Sequence, residues 1–426
     1  MAEPAVQWSS GRRYFFLGLL CLIGLIAFID RQIITILIEP IKAEFGASDT
    51  AMGALTGIIF SGFYAAAAIP LARISDRYSR RNLIAACLAF WSIMTSLGGF
   101  ATSFLMLAAT RVGVAVAEAG ASPASHSLIA DLFPVKRRAT AIGLLSASQA
   151  IGIGMGVLLG GLLLSAFDWR TSFLIVGFPG VVIAVIMLLL LREPPRGLSE
   201  NLAKIDDQPP FLATVAALWK IRSYRYIFLV VGFAGFCGYG ILGWGPTFLI
   251  RVHQMPVDQI GLWFGGAVAL SLVIGNITGG WLADRIGQHD LRRYLWIAGA
   301  GPALSFLPGL LFVFSPNWQV AILAIFLLQL TLTTHIPTCY MLCQTLAQPR
   351  MRAMSSVVVG LASGVVGSGF APLIIGATND MLTPSLGVEA IRYALLAPVC
   401  CALVAFGAAM LGSRHVRADY AALHAT

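Results

Sequence analysis

The chain has 426 residues, 58% of them apolar and 11% charged, with a net charge of +9 and a mean hydropathy of +0.84. Water-soluble domains carry about 25% charged residues, so a soluble enzyme is excluded. A nucleic-acid binder is excluded too, because its footprint needs Lys and Arg clustered on a wet face, whereas here they stand singly or in twos and threes between long apolar blocks.

Taken in chain order with a window of about 20 residues, the first apolar block runs over 14–38. It is too long for a cleavable leader and passes into polar residues without a small-residue cleavage site, so it is expected to stay as the first span. Blocks follow over 51–72, 82–102, 104–130, 139–165 and 172–191. A polar stretch with Pro194, Pro195, Pro209 and Pro210 then separates them from blocks over 226–250, 259–282, 293–314, 318–346, 353–378 and 390–412. The pattern predicts an all-α membrane protein of twelve transmembrane helices in two six-helix halves, 1–191 and 226–426, joined by a linker over 192–225. The seven cysteines all fall inside apolar blocks without metal or disulfide spacing, and read as small packing residues.

Most basic residues fall in segments on one side of these spans, among them Arg12, Arg13, Lys136 to Arg138, Arg292, Arg293, Arg350, Arg352, Arg414 and Arg417. Lys42, Arg170, Arg251 and Arg392 are left on the other side, and Arg31 and Arg111 lie within spans. The positive-inside rule therefore puts both termini and the linker in the cytoplasm of a plasma (inner) membrane.

The halves repeat. The loop after the second span reads Ala72-Arg73-Ile74-Ser75-Asp76-Arg77-Tyr78-Ser79-Arg80-Arg81, and the loop after the eighth reads Gly280-Trp281-Leu282-Ala283-Asp284-Arg285-Ile286-Gly287. Two six-span halves with an Asp-Arg loop at the same place are the sequence form of parallel transporter repeats. At these residues the chain resembles the major facilitator superfamily, whose recurring loop is approximately Gly-x-Leu-Ala-Asp-Arg-x-Gly-Arg-Arg. The first copy departs at Ala72 and Ser79, and the second lacks the trailing basic pair. With the Asp30-Arg31 pair in span one and Arg111 to Glu118 in span four, the chain resembles the spinster branch, bacterial-type homologues of sphingolipid and lysolipid transporters.

Asp30, Arg31, Arg111 and Glu118 are full charges inside spans. Each costs roughly 2.5–3.5 kcal/mol at a helix centre, so such residues pair, face a cavity and mark a path. Arg111 and Glu118 are seven apart and share a helix face about 10 Å long; counting residues from the span ends puts Asp30 at a similar depth. Asp30, Arg111 and Glu118 are expected to form one network in which the arginine keeps one carboxylate ionised while the other takes up and releases a proton, a role the spinster resemblance also implies. The bland alternative is a salt-bridge triad tying spans one and four. Arg31, rotated about 100° from Asp30, is left to a substrate anion or to the headgroups.

His126 and His335 are read as hydrogen-bonded packing residues, with His335 and Thr334 of span ten kept as candidates for substrate contact. In the Asp-Arg loops, Arg77, Arg80, Arg81 and Arg285 set topology. For Asp76 the family resemblance implies a gating latch onto the helix amino terminus of span eleven, and for Asp284 the same at span five. Gly152, Gly156 and Gly160 on span five, Gly275 and Gly279 on span eight, Gly53 and Gly57 on span two, and Gly360 and Gly364 on span eleven lie four apart, the interval that permits close helix approach. In this superfamily the pairs five with eight and two with eleven line the interface between halves, which fits rocking-type alternating access.

With all intramembrane charge in the first half, a cavity between the halves has one charged wall and one apolar wall, for which Phe233, Phe236, Tyr239, Trp244, Phe248 and Trp263 are candidates. That suits an amphiphile with an ionic head, such as a lysophospholipid or sphingoid phosphate, moved by a proton-coupled secondary transporter. The alternatives are a small organic anion or uncoupled facilitation. A channel would want symmetric rings of pore-lining residues, and an enzyme would need a nucleophile or metal motif that is absent here. No cofactor is expected beyond the coupling proton, with sodium left open, and the chain is read as a monomer.

Overall fold

A computed structural model describes residues 9–195, 211–287, 290–348 and 351–424; of the expected linker, 196–210 lie outside that set, as does Arg350. Among the described residues there is helix and no strand. Each expected block is a helical rod, labelled here α1 (Ser10–Ile36), α2 (Asp49–Arg77), α3 (Arg80–Gly98), α4 (Phe104–Leu132), α5 (Val135–Ala166), α6 (Trp169–Leu190), α7 (Arg222–His253), α8 (Val257–Ile286), α9 (Leu291–Val313), α10 (Trp318–Thr345), α11 (352–386) and α12 (Ala390–Ser413). Ten stretches are long and apolar enough to cross a membrane. That number differs from twelve because α3, which opens with Arg80 and Arg81, is not among them, and α11 and α12 fall in one stretch, Met354–Ser413, although Gly387 turns the chain at φ +58° between them.

Polar residues at the block edges start the rods. Ser9, Ser48, Ser79, Ser103, Asp168, Asp290 and Asn317 are N-caps whose side-chain oxygens accept first-turn amides of α1, α2, α3, α4, α6, α9 and α10, as unsatisfied helix ends require in any solvent. In α10 the helix breaks at Thr333 and Thr334. Pro337 has no N–H to continue the ladder, and the two threonine hydroxyls bond Gln329 O (2.5 Å) and Thr331 O (2.7 Å) of their own chain.

The rods run up and down, so one end of the molecule carries Ser10, the Asp76 loop and Ser413, called the near end here, and the opposite far end carries the α1–α2 and α7–α8 connections. Packing within the first half is dominated by α1 on α5, α3 on α4 and α6, and α2 on α4; in the second half α7 and α9 pack on α12, and α7 on α11. The halves meet where α2 touches α11 and α5 touches α8. Stretches of wider π-helix interrupt three of these four rods, at Leu55–Ile59, Gly261–Gly265 and Ala362–Phe370, a feature that gathers at functional sites.

The apolar core is continuous at the far end, where Ile33, Ile36, Leu55 and Phe173 of the first half share one cluster with Trp244, Phe248, Ile260 and Phe312 of the second. Towards the near end it divides. Phe16, Leu88, Trp91 and Leu128 belong to a cluster of the first half, and Tyr224, Leu295, Leu342 and Val359 to a separate one of the second. The described parts of the linker and tail, Phe211–Lys220 and Val416–His424, are short helices packed on that second near-end cluster through Leu218 and Val416.

Candidate functional site: a charge cluster between the halves

Asp30 and Arg31 are successive residues of α1, so they leave the helix in different directions and take different partners. Asp30 is 2% exposed. Its carboxylate accepts Nη1 of Arg111 from α4 at 2.8 Å and the hydroxyl of Thr95 from α3, and Nη2 of Arg111 reaches the Asp30 carbonyl at 3.4 Å. This buried charge pair is hydrogen-bonded on both carboxylate oxygens, the condition under which such a pair is tolerated in a dry setting.

Glu118, one face along α4 from Arg111, pairs with Arg31 at 2.5 Å. The Arg31 guanidinium is enclosed by the rings of Phe60 (4.8 Å), Phe28 (5.0 Å) and Tyr64 (5.1 Å), distances within cation–π range. Phe60 lies between the two cations, since Arg111 stands 5.6 Å from the same ring. The Arg31 side chain is 24% exposed while that of Glu118 is 1% exposed. Oε1 of Glu118 and Nε of Arg31 are buried without a partner among the described residues. The expected triad is thus a four-charge cluster with Arg31 as a full member: Arg111 serves Asp30, and Arg31 serves Glu118.

The second half contributes Tyr239 of α7, half-buried and within electrostatic range of Arg31, and Tyr340 of α10 lies within electrostatic range of Tyr239. Three of the other wall candidates, Trp244, Phe248 and Trp263, have settled elsewhere. Trp244 is fully buried and donates Nε1 to Pro372 O of α11 at 2.9 Å; Phe248 packs on Phe312, and Trp263 is exposed beside Trp318 at the far end. Thr334 spends its hydroxyl on its own helix, and His335 is buried with Nδ1 2.6 Å from Leu332 O, a packing arrangement. His126 differs from its expected packing role: it is exposed, because Ser125, Leu128 and Ile129 take the buried face of α4 there.

Among the described residues, no hydrogen bond or ion pair links Asp76, Arg77, Asp284 or Arg285 to the opposite half. Asp76, Arg77, Asp284 and Arg285 are exposed, and Arg285 lies over Trp281 at 5.4 Å. Arg80, 1% exposed, instead binds the first half together, meeting Asp131 of α4, Ser127 Oγ (3.0 Å), Glu193 (2.9 Å) and Pro194 O (3.0 Å). Arg81 donates to Leu191 O at 2.5 Å.

At the far end the halves are joined by a polar lock that the sequence did not flag as a site. Arg251 at the end of α7 bonds Glu39 (2.7 Å) and Asp49 (2.7 and 2.8 Å) of the first half. Asp49 also holds Lys42 and Asn379, and Asp380 of α11 accepts the backbone amides of Asp49 (3.1 Å) and Thr50 (2.7 Å) and the Thr50 hydroxyl (2.6 Å).

Close backbone approach reinforces the lock. A Cβ on Gly53 or Gly57 would strike Pro372 O or Gly369 O, and one on Gly154 or Gly161 would strike Gly265 O or Val257 O. The structure places Gly152, Gly156 and Gly160 against Leu25 O, Ile29 O and Ile36 of α1, and Gly275 and Gly279 against Leu330 O and Thr334 O of α10. These glycines pack inside a half, because the row of α5 that meets α8 is rotated from the four-apart row. Gly360 and Gly364, towards the near end of α11, have no neighbour from α2 within 4 Å of such a Cβ.

The Major Facilitator Superfamily model matches residues 20–372. An MFS-type efflux pump of Mycolicibacterium smegmatis is 32% identical over 398 residues, 92% of this chain and 91% of that one. Human protein spinster homolog 1 is 26% identical over 455 residues, 95% of this chain and 81% of that protein. Among solved structures, a bacterial homolog of the human lysosomal transporter spinster, in an inward-facing and unoccupied conformation, superposes with TM-score 0.88 at 28% identity, covering 96% of this chain and 99% of that one. The chain belongs to the Major Facilitator Superfamily and is a spinster-like transporter.

Proposed function

We propose that the protein is a proton-coupled carrier of an amphiphilic anion, such as a lysophospholipid or sphingoid phosphate, that works by alternating access across the plasma (inner) membrane with its near end in the cytoplasm. The observation that carries this reading is the Arg31–Glu118 pair, where a partly exposed guanidinium covers a buried carboxylate whose second oxygen has no partner among the described residues. An anionic head that draws on Arg31 weakens its hold on Glu118, and a carboxylate losing its cation in a dry site takes up a proton. Substrate and proton are then linked through one side chain. Phe28, Phe60, Tyr64 and Tyr239 give the head an aromatic surround, and the near-end cores of the two halves are separate clusters, which fits a tail entering between them. Both carboxylate oxygens of Asp30 are hydrogen-bonded, to Arg111 and Thr95, so Asp30–Arg111 is the fixed member and Arg31–Glu118 the working one.

Flux of a labelled lysophospholipid into proteoliposomes, with and without an imposed pH gradient, tests this. Wild-type flux is expected to respond to the gradient, and Glu118→Gln protein to exchange solute without that response. An unchanged gradient response in Glu118→Gln would sink the coupling role. Competition by a short carboxylate as effective as the lysolipid would replace the amphiphile with a small organic anion.

A further inference from the structure

α2 and α11 are antiparallel, and at the far end they keep a steady register. Gly376 lies on Asp49, Pro372 on Gly53 and Gly369 on Gly57, and the hydroxyls of Ser61 and Ser368 meet at 2.9 Å. From Asp49 to Gly57, two steps of four along α2 are matched by steps of four and three back along α11, and the serine pair follows directly. Carried on at this spacing, the register brings Asp76 opposite the first turn of α11. In the structure the rods part beyond the serine pair, where Gly364 has no neighbour within reach, and Asp76 is exposed.

The first turn of α2 is satisfied from both sides of the interface. Ser48 serves the amides of Ala51, through its side chain at 3.1 Å, and Met52, through its carbonyl at 3.1 Å. The two remaining first-turn amides, those of Asp49 and Thr50, have Asp380 of the other half as their acceptor. An aspartate at a helix amino terminus supplies hydrogen-bond acceptors and complements the helix dipole. Asp380 stands 28 residues after the start of α11 at Arg352, and Asp76 stands 27 residues after the start of α2 at Asp49. Each rod therefore carries an aspartate at the distance needed to cap the other.

We propose that Asp380 is a positioning residue for transport, the far-end counterpart of Asp76: it caps α2 across the halves when the far end is closed, and Asp76 caps α11 when the near end is closed. The two caps are mutually exclusive, because the rods lie together at only one end at a time. The inference rests on the alternating-access reading. It assigns the stability of each state to one aspartate and explains why the far-end lock does not depend on the Asp-Arg loops.

Hydrogen–deuterium exchange on the purified full chain reads both ends at once. Asp380→Ala is expected to speed exchange in residues 49–54 by roughly fivefold, the loss of a typical cap. It should also speed exchange in the far-end stretches 154–166 and 257–265, which Asp380 does not touch, and slow it in 352–361 at the near end. Asp76→Ala is expected to act in the opposite sense. Asp380→Asn, which keeps an acceptor oxygen, should restore most of the wild-type pattern and guards against misfolding as the cause. Faster exchange confined to 49–54, with Asp76→Ala still moving both ends, would overturn the role of Asp380 and leave alternating access standing. If neither variant alters either end and no solute flux is found, alternating access itself fails, and the inference with it.

Discussion

A guanidinium has five N–H donors in a planar fork, and Arg31 commits one of them to Glu118 while its faces are taken by three rings. What it keeps is a partly exposed edge, which suits a phosphate or carboxylate better than a point charge would. Arg31→Lys preserves the charge but loses the fork and the stacking area, at a cost of about 1–2 kcal/mol. Solute flux in proteoliposomes is expected to show KM raised roughly tenfold for a lysophospholipid, with the maximal rate less affected; an unchanged KM would remove Arg31 from the binding surface. Arg111 has a different duty. It and Thr95 satisfy both oxygens of a carboxylate 2% exposed, so Thr95→Val leaves one oxygen without its donor. Such a loss costs about 1–3 kcal/mol, and it should register as a lower unfolding temperature in detergent. The four intramembrane charges were legible in the sequence because charge in an apolar span is expensive, and any that survives has a reason. Their pairing was not legible: helix rotation fixes where a Cα faces, but an arginine side chain is long enough to reach a partner well off that direction.

At the level of elements, the segment that follows α6 shows how the first half is tied at its near end. Glu193 accepts the backbone amide of Arg81 at 2.8 Å, the Arg80 guanidinium at 2.9 Å and the Ser79 hydroxyl at 2.9 Å, so it caps α3 from a neighbouring strand of chain. Partial burial by itself raises the Glu193 carboxyl, but these donors outweigh it and hold the group below the usual range. A carboxyl titrating lower in the folded than in the unfolded chain stabilises the fold fully above its unfolded value of about 4.3. That contribution fades as the pH falls through the lower folded value. Glu193→Gln should therefore destabilise the protein near neutral pH by about 1 kcal/mol, a figure reduced for the group's partial exposure. The gap to wild type should narrow as thermal unfolding is repeated at pH values below about 4. A gap that stays constant over that range would mean the carboxylate charge is not what ties α3 to α6. The Asp-Arg loop here was readable as a motif, but its basic residues divide between two tasks. Arg80 is buried within its half and Arg77 is exposed, a division that spacing alone does not encode.

Across the whole molecule, the two-half architecture followed from apolar block lengths and the repeated loop, since both report directly on the solvent each segment meets. The far-end lock was harder to see. Asp49, Glu39 and Arg251 sit at span ends, where charge is cheap, so their presence raises no alarm; the one available hint was that Lys42 and Arg251 are basic residues on the side the positive-inside rule leaves poor in them. Glycine spacing also misled in an instructive way. Rows four apart mark a close helix contact but do not say with which helix, and on α5 two such contacts exist on different faces. This separates fold stability from state preference in one helix. The atoms nearest a Cβ at Gly156 belong to Gln32 and Ile29 of the same half, whereas those nearest a Cβ at Gly161 belong to Val257 and Gly261 of the other. Gly156→Val should overpack the first bundle and cost about 1–3 kcal/mol of stability. Gly161→Val should leave each half intact, because the collision is relieved when α5 and α8 separate at the far end. The expected result is a nearly unchanged unfolding temperature for Gly161→Val, together with faster hydrogen–deuterium exchange over 257–265 and slower exchange over 352–361. If Gly161→Val instead unfolds as early as Gly156→Val with no change at the near end, then α5 and α8 behave as one rigid core, and the halves do not rock about that contact.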